Sequence, residues 1–326
     1  MWKPIEKSPD LPAPENPVLL TGATGFIGHR LQKALLANDR QIIAVVRPSS
    51  SNMDQLLCGV HRLLADLSNT DKLAAAIANC QAVIYCAGSV RGRNLDDFKA
   101  ANIAGVRSVV DAMNRSGTEA PLLLISSLAA SRPRLSDYAN SKFLGEQEVI
   151  HHARFPWAIF RPPAVYGQGD RELLPLLKLA RKGIVFRAGP AQQKLSLIHV
   201  DDLTAAMLDW LASWPTCRGQ IYSLDDGHSG GYDWREIAET ASGGKYHSFR
   251  IPSPLLFAAA QTNLLLSGLF GYAPMLSPGK ARELIQPTWL CDNEPLTLAT
   301  GWSPVIDLEN GLKKTFAKQE NRHSES

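Results

Sequence analysis

The chain has 326 residues, of which 45% are hydrophobic, 20% charged and 7% aromatic, a composition typical of a packed protein and not of a disordered or collagen-like chain. Its 34 basic and 31 acidic residues give a net charge of +3 without a block of like charge, which disfavours a nucleic-acid binder held by phosphate contacts. The five cysteines are odd in number, far apart and without a CxxC pair, so we expect no disulfide framework, no metal site and a reducing, cytoplasmic location.

The first 17 residues precede the first apolar run. They contain five prolines and three acidic residues but no apolar core segment, so they do not have the pattern of a secretory signal. We predict that residues 1–17 form an extended arm.

Short apolar runs alternate with helical stretches in the first half of the chain. Strands are predicted at 18–20, 41–46, 61–65, 82–86, 121–125 and 157–160. Helices are predicted at 29–37, 71–79, 95–115 and 138–153. Continuous apolar runs of this length indicate strands buried on both faces. Their repetition with helices predicts an α/β fold built on a parallel, doubly wound sheet of the Rossmann type.

The pattern loosens in the second half. Helices are predicted at 172–181, 199–212 and 233–241, and no charged residue occurs between Ile251 and Gly279. We therefore expect a smaller, discontinuous C-terminal domain seated on the strand ends of the sheet domain. The predicted boundaries are 18–166 and 199–225 for the sheet domain, 167–198 and 226–317 for the smaller domain, and 318–326 for a loose tail.

A glycine-rich loop, TGATGFIG, lies between the first predicted strand and the first predicted helix. A turn this tight needs glycine for positive φ, and a pyrophosphate approaches the backbone where a Cβ would collide. Gly22, Gly25 and Gly28 therefore predict a dinucleotide phosphate site at a helix N-terminus. The alternative is a plain strand-to-helix turn, which the strand–loop–helix context disfavours.

Tyr138 and Lys142 are four residues apart on the helix that follows the fifth predicted strand. On one helix face the two groups lie roughly 6 Å apart. A neighbouring ammonium lowers the pKa of a tyrosine, ordinarily about 10, and makes it usable as an acid or base in hydroxyl–carbonyl exchange. The alternative is an exposed amphipathic pair. The position of the pair beside Ser126 and Ser127, at a strand's carboxyl end, favours a catalytic role.

Together these motifs resemble the extended branch of the short-chain dehydrogenase/reductase superfamily, with its NAD-dependent epimerase/dehydratase-like proteins, over about residues 18–315. The segments 161–167 and 199–202 match two further landmarks of that branch. The resemblance implies that Ser127 binds the substrate oxygen, that Tyr138 transfers the proton, and that Lys142 holds ribose hydroxyls and lowers the Tyr138 pKa. It further implies that Asn102 supports the site, that the sheet domain binds the dinucleotide and that the protein is a homodimer acting on a small molecule.

The same resemblance implies a set of cofactor-binding residues that follow the strand ends. They are Gly22, Thr24, Gly25, Phe26, Ile27, Arg47, Asp66, Leu67, Ala87, Gly88, Ser126, Tyr138, Lys142, Pro162, Pro163 and Val165.

The residue that ends the second strand distinguishes NAD from NADP. A carboxylate there binds the adenosine ribose hydroxyls and repels a 2′-phosphate. This chain has Arg47, followed by Pro48 and three serines, which suits a 2′-phosphate and favours NADP. The alternative is that Arg47 stacks on adenine, which would leave NAD as the cofactor.

Departures from the family pattern bear on the substrate. Leu128 and Ala129 follow Ser127 where 4,6-dehydratases carry Asp and Glu, so water elimination is disfavoured. Ala164 and Leu195 stand where nucleotide-sugar epimerases usually carry Asn and Arg, although the adjacent Lys194 could replace the arginine.

The uncharged run, residues 251–279, resembles the corresponding segment of the hydroxysteroid dehydrogenase/dihydroflavonol-reductase branch. In that branch a lipophilic substrate binds beneath this segment. In that case Phe257, Leu264, Leu269 or Phe270 should approach the space beyond Tyr138. The alternatives are a buried helix pair and, less favoured because Gln261, Thr262 and Asn263 lie mid-run, a membrane span.

We therefore predict an NAD(P)-dependent oxidoreductase that interconverts a secondary alcohol and a ketone on a small, mostly apolar substrate, with tyrosine as the proton donor. One alternative is a nucleotide-sugar 4-epimerase with tightly held NAD. The other is a non-catalytic cofactor-binding scaffold, which would have no need of the intact Ser127, Tyr138 and Lys142.

Overall fold

The computed structural model describes residues 15–320. Most of the predicted arm, 1–17, and most of the predicted tail, 318–326, lie outside the described residues. The last helix ends at Glu320, three residues into the segment predicted as a tail.

The described residues form seven strands in one large sheet and six in three small two-stranded sheets. In chain order they are β1 (Val18–Thr21), β2 (Ile42–Val46), β3 (Val60–Leu64), β4 (Ala82–Tyr85), β5 (Leu122–Ile125), β6 (Trp157–Arg161), β7 (Ala164–Tyr166), β8 (Ile184–Arg187), β9 (Lys194–Leu195), β10 (Leu197–His199), β11 (Gln220–Ser223), β12 (His247–Arg250) and β13 (Thr288–Trp289).

Twelve α-helices occur in the described part of the chain. They are α1 (Phe26–Ala37), α2 (Thr70–Ile77), α3 (Leu95–Lys99), α4 (Gly105–Ser116), α5 (Asp137–His152), α6 (Leu174–Arg181), α7 (Val200–Ser213), α8 (Trp234–Ser242), α9 (Ser253–Phe270), α10 (Pro278–Leu284), α11 (Glu294–Thr300) and α12 (Leu308–Glu320). A π-helical segment, Ala100–Ala104, separates α3 from α4.

The large sheet has the strand order β11-β6-β5-β4-β1-β2-β3, and every neighbouring pair is parallel. The predicted parallel, doubly wound sheet is confirmed. The chain builds outward from β1 to β3 and then returns to pair β4 with the other side of β1. The order therefore reverses between β1 and β4, the point at which ligands bind in such sheets, outside the carboxyl ends of the strands.

The apolar runs are buried because helices cover both faces of the sheet. All four residues of β1, β4 and β5 are buried. One face packs against α1 and α7, and the other against α2, α4 and α5. Leu296 of α11 and the nearby Trp302 also join the first of these cores, so a segment assigned by sequence to the smaller domain returns to the sheet.

The remaining helices and small sheets lie beyond the carboxyl ends of β6 and β11. A separate core joins α6, α8 and α12 through Leu177, Ile237 and Leu312. The division of the chain into two domains at the predicted boundaries stays a prediction.

Helix α9 contains much of the uncharged run, and it is more exposed than a buried helix pair would be. Only 17% of its 18 residues are buried, so the interpretation as a buried helix pair is wrong. Leu256 and Ala260 pack against Ala281 of α10, while most of the helix surface stays exposed. In the described part of the chain, α9 is the one helix long and apolar enough to cross a membrane, with a mean hydropathy of 1.2.

Candidate active site

The glycine loop forms a tight turn between β1 and α1. Gly22 has φ +69°, and a Cβ on it would lie 2.6 Å from the Ala87 nitrogen. A Cβ on Gly28 would lie 2.1 Å from the Gly22 oxygen, so α1 can approach β1 this closely only with glycine there. Gly25 is the N-cap of α1, and among the described residues no side chain caps this end. The backbone at this helix terminus therefore suits an anionic diphosphate.

Arg47 and Asp66 follow the ends of β2 and β3. Both are exposed, and they lie close enough for the positive charge of Arg47 to stabilise the Asp66 carboxylate. The pKa of Asp66 is lowered chiefly by hydrogen bonds from the Ser68 N–H and hydroxyl, at 2.9 and 2.8 Å, and further by Arg47. This edge of the sheet thus carries one cation and one anion, both open to a ligand.

The other predicted cofactor residues also follow strand ends. Ile27 and Val165 pack against the core under the sheet edge, and the Pro162 oxygen accepts a hydrogen bond from the Leu128 N–H at 2.8 Å. The Ala87 N–H donates to Thr21 Oγ1 at 3.2 Å. Thr24 and Phe26 lie in or directly after the glycine turn, Leu67 follows Asp66, and Pro163 precedes β7.

Gly88 lies where the loop after β4 meets the predicted catalytic residues. A Cβ on Gly88 would lie 3.2 Å from Asn102 Oδ1 and 3.7 Å from Lys142 Nζ. The structure therefore brings these three residues, which are far apart in sequence, to the end of β4.

Asn102 lies in the π-helical segment that interrupts the predicted 95–115 helix. Its buried amide donates to the Ser89 oxygen at 2.9 Å and to Ser141 Oγ at 2.8 Å, and accepts from the Ser89 N–H at 2.9 Å. A Cβ on Gly145 would lie 2.1 Å from the Asn102 oxygen, so α5 packs directly on this segment. Asn102 thus joins the loop after β4 to the helix that carries Tyr138 and Lys142, and its predicted supporting role stays a prediction.

The two adjacent serines after β5 have different partners. Ser126 Oγ donates to Glu146 Oε1 at 2.5 Å, and the same carboxylate accepts two hydrogen bonds from Arg161, at 2.9 and 2.5 Å. Ser127 Oγ instead accepts a hydrogen bond from the Ala129 N–H at 3.2 Å, and the Ser127 hydroxyl is close enough to Tyr138 to lower the pKa of that tyrosine. Ser127 is therefore the serine that faces the candidate proton donor, whereas the Ser126 side chain belongs to a buried ion-pair network.

Lys142 and Tyr138 lie on consecutive turns of α5, but their electrostatic partners differ from the expectation. Lys142 Nζ donates to the Ile125 oxygen at 2.7 Å, and burial lowers its pKa to about 8, against the opposing effects of Glu146 and Cys86. Burial raises the pKa of Tyr138, while Ser127 and then Lys280 lower it in part. The expectation that Lys142 lowers the Tyr138 pKa is not met, because the lysine turns toward β5.

A pocket opens beside Tyr138 between α5 and the segment that follows α9. One part of its wall is apolar, with Leu264, Pro274 and Met275, and the Phe98 ring lies 5.9 Å from the Tyr138 ring. Of the four residues expected near this space, Leu264 lines the pocket, whereas Leu269 and Phe270 are exposed at the surface. Phe257 packs instead against the α9–α10 core.

The polar part of the pocket wall comes from residues that the sequence reasoning did not identify. Glu283 accepts hydrogen bonds from Lys280 Nζ, at 2.9 Å, and from Ser136 Oγ, the N-cap of α5. Lys280 lies two residues after Pro278, the start of α10, and only the tertiary fold brings this helix to the catalytic helix. A mixture of lysine, carboxylate and hydroxyl groups therefore faces the tyrosine alongside the apolar wall.

Comparison with known proteins agrees with this geometry. The model of the NAD dependent epimerase/dehydratase family matches residues 18–222. The chain is 33% identical over 305 residues to a ceramide reductase of Caulobacter vibrioides, covering 91% of this chain and 92% of that protein. It is 25% identical over 334 residues to a 2-alkyl-3-oxoalkanoate reductase of Stenotrophomonas maltophilia, covering 92% and 98%. A solved UDP-glucose 4-epimerase of Thermotoga maritima is 17% identical, with a TM-score of 0.72 over 94% of this chain and 99% of that one, which shows a shared fold.

Proposed function

Because the chain belongs to the NAD dependent epimerase/dehydratase family, we propose that it is an NAD(P)-dependent oxidoreductase that interconverts a secondary alcohol and a ketone on a lipid-like substrate. The observation that carries this proposal is the proximity of Ser127 to Tyr138, which lines a pocket with an apolar wall. A scaffold protein has no need of such a pair.

The cofactor site fits a dinucleotide because a side chain at Gly22 or Gly28 would fill the space that the backbone needs. Lys142 lies beside Gly88, and there it would hold the ribose next to the nicotinamide. The nicotinamide would supply or accept a hydride when bound. Arg47 favours NADP, since its guanidinium is exposed at the end of β2 and suits a 2′-phosphate.

The Arg47→Ala variant tests the cofactor preference. We expect it to lose affinity for NADPH by about 1.5–3 kcal/mol, the usual contribution of a charged hydrogen bond, while NADH binding changes little. Titration of both cofactors by fluorescence measures this. Arg40→Ala serves as the control, because Arg40 is also an exposed arginine but precedes β2, at the opposite end of the strand from Arg47. An equal loss for both cofactors would show that Arg47 stacks on adenine and would remove the NADP preference.

The chain's own residues supply the proton chemistry. The Ser127 hydroxyl donates to the substrate oxygen and holds it beside Tyr138. Burial raises the pKa of Tyr138, so the phenol is protonated at neutral pH and is ready to donate its proton to the oxygen of a ketone undergoing reduction. The reductive direction therefore matches the resting state of this tyrosine.

The low pKa of Lys142 predicts a pH dependence of cofactor binding. Its pKa of about 8 means that the free protein loses this positive charge as the pH rises through 8. Only the charged form makes charge-assisted hydrogen bonds to ribose hydroxyls, so we expect affinity to be full below pH 8 and to fall by up to about tenfold per pH unit above it. Dissociation constants measured between pH 6.5 and 9.5 check this. Lys142→Met should bind more weakly and show a flat profile, and an unchanged slope in that variant would contradict the assignment.

The substrate class follows from the mixed wall of the pocket. Leu264, Pro274 and Met275 suit an alkyl chain, while Ser136 and Lys280 suit a polar group near the reacting oxygen. A ceramide, the substrate class in the name of the Caulobacter relative, is an amphipathic lipid of this kind. We therefore propose a ketone flanked by a polar head group and an alkyl chain.

The nucleotide-sugar epimerase alternative is disfavoured by the residues available to bind a diphosphate. Ala164 and Leu195 offer no polar group at the two expected positions. Lys194, which was the remaining candidate, is engaged by Glu236 at 3.3 Å and Asp233 at 3.6 Å, at the N-terminus of α8. The charge of this lysine is therefore already compensated within the protein.

A substrate screen tests the proposed function. NADPH oxidation should be fast with long-chain 3-oxo amides or 3-oxo acids dispersed in detergent, and absent with UDP-glucose or UDP-galactose. The same ketones should raise the melting temperature of the NADPH complex, whereas uridine diphosphate should not. Interconversion of the two UDP-sugars without net NADPH consumption would replace the reductase with the epimerase.

We also propose a cytoplasmic location, supported by the five cysteines, none of which forms a disulfide in the described part of the chain. A homodimer stays a proposal from family resemblance.

A further inference from the structure

Helix α9 presents an apolar surface that the rest of the described chain leaves open. Its buried positions, Leu256, Ala260 and Ser267, fall along one stripe of the helix. Five large apolar side chains outside this stripe are exposed: Leu255, Leu265, Leu266, Leu269 and Phe270. Adjacent large apolar side chains on one exposed helix mark an interaction surface.

Both ends of α9 are attached to the folded body, which restricts how the helix can contact an apolar phase. The chain enters from β12 and leaves through Gly271 into α10, and both neighbours belong to the folded body. Asn263, in the middle of the helix, donates to the Leu276 oxygen at 2.8 Å and so ties α9 to the chain that leads into α10. At about 1.5 Å per residue, 18 residues cover about 27 Å, close to the roughly 30 Å of a bilayer core, but both ends of α9 return to the same folded body. The helix is therefore suited to lie along an apolar phase and not to cross it.

The charges around α9 indicate which apolar phase is involved. Between Glu239 and Glu283 the sequence contains no aspartate or glutamate, but it contains the four cations Lys245, Arg250, Lys280 and Arg282. Lys245 and Arg250 precede α9 and are exposed. Arg282 of α10 is also exposed, and α10 packs beside the N-terminal half of α9, where Ala281 contacts Leu256 and Ala260. Lys280 is paired with Glu283, so the exposed cations beside this half of the helix are Lys245, Arg250 and Arg282. Such cations next to an exposed apolar helix are complementary to the surface of an anionic bilayer.

The exposed surface continues into the candidate active site. Leu264 of α9, together with Pro274 and Met275 just beyond it, lines the pocket that contains Tyr138. Met275 is also one of the exposed large apolar residues. Residues of α9 and of the segment that follows it therefore contribute to both the exposed apolar surface and the pocket, and Met275 belongs to both.

We propose that α9 docks on an anionic phospholipid bilayer. The helix lies in the interface with Leu255, Leu265, Leu269 and Phe270 among the acyl chains, and the flanking cations contact the phosphate groups. The pocket beside Tyr138 then opens toward the membrane. Docking itself does not require catalysis. It extends the proposed function, because a lipid substrate could pass from the bilayer to the pocket without entering water.

Vesicle binding of the full chain tests the docking surface. We expect the protein to float with vesicles of equal parts phosphatidylcholine and phosphatidylglycerol, and to float much less with phosphatidylcholine alone. The double variant Leu269→Glu/Phe270→Glu should lower the partition coefficient by at least ~10-fold. Lys245→Gln and Arg250→Gln should each lower it by about fivefold, and only on the anionic vesicles.

A matched control is available on another part of the molecule. Leu298 and Val305 are each 80% exposed, against 79% and 75% for Leu269 and Phe270. Leu298→Glu/Val305→Glu should therefore leave flotation unchanged. NADPH binding and reduction of a detergent-dispersed ketone, measured on every variant, separate a loss of docking from a loss of folding or of the proposed function.

Two results would overturn the proposal. The first is wild-type protein that stays in solution with both kinds of vesicle, or a loss of flotation that is equal in the control variant and in the α9 variant. The second is a dimer by light scattering that Leu269→Glu/Phe270→Glu converts to a monomer without any vesicle binding, because a second copy of the chain would then cover α9.

Discussion

Replacing Tyr138 with phenylalanine should lower kcat for ketone reduction by at least ~10²-fold, the usual range for the loss of a general acid. The change removes the hydroxyl that faces Ser127 and leaves the ring that packs at 5.9 Å from Phe98. Because the ring remains, the dissociation constant for NADPH and the melting temperature should stay near those of the wild type. Steady-state kinetics with a saturating ketone, combined with a cofactor titration, measure both quantities.

A second tyrosine provides the control for this experiment. Tyr246 lies in the chain before β12 and packs against the core that contains Val185 and Ala238. Tyr246→Phe removes a hydroxyl of the same kind outside the candidate site, so kcat should be unchanged. Near-normal turnover by Tyr138→Phe would end its assignment as the proton donor, whatever the behaviour of the control.

Replacing Glu146 with alanine should lower the free energy of unfolding by about 3–5 kcal/mol. The Glu146 carboxylate is fully buried, and it accepts hydrogen bonds from Ser126 and from two nitrogens of Arg161. Its removal leaves a largely buried guanidinium without a counter-charge, and the desolvation of that group is no longer offset. Urea unfolding followed by circular dichroism should show a lower midpoint at an unchanged slope.

Two further variants show whether the charge or the cavity causes the loss. Glu146→Leu combined with Arg161→Met removes both charges and should recover much of the stability. Asp111→Ala breaks the exposed ion pair with Arg107 on α4 and should cost less than about 1 kcal/mol. A loss below about 1 kcal/mol in Glu146→Ala would contradict the proposed importance of the buried pair.

The same substitution connects stability to the cofactor site. The negative charge of Glu146 raises the pKa of Lys142 and opposes the effect of burial. Without it the Lys142 pKa should fall further, and cofactor affinity should begin to decline at a lower pH than in the wild type. Glu146 was not identified from the sequence. The signal that could have identified it is its position four residues after Lys142, which places both side chains on the same helix face.

Elements whose cause is local could be predicted from the amino-acid sequence. Five continuous apolar runs predicted five strands of the large sheet, because a strand covered on both faces must be apolar throughout. The remaining predicted strand, β3, contains His61 and Arg62 and lies at the edge of the sheet. The glycines of TGATGFIG predicted the turn at β1, because a Cβ at Gly22 or Gly28 would collide with the backbone. The four-residue spacing of Tyr138 and Lys142 predicted a common helix, and the structure has both on α5.

Short strands and interrupted helices depended on the rest of the fold. Strands β7 and β10 have only three residues, too few to give a periodic signal, and β9 pairs with β13 across more than ninety residues of chain. Strands β8 and β12 have four residues, as β1 does, but neither is a continuous buried run. The π-helical turn at Asn102 also has no local signature, since it depends on the amide's contacts with Ser89 and Ser141.

The electrostatics and the substrate side of the site depend on contacts between segments that are distant in the chain. The sequence suggested that Lys142 activates Tyr138, but the fold directs that lysine to the Ile125 oxygen and brings Lys280 toward the tyrosine from the other end of the chain. Likewise, the uncharged run was consistent with a cover over a lipophilic substrate or with a buried helix pair, and a membrane span was less favoured. Burial is a property of what packs against a residue, so the exposure of α9 could not be read from its own composition.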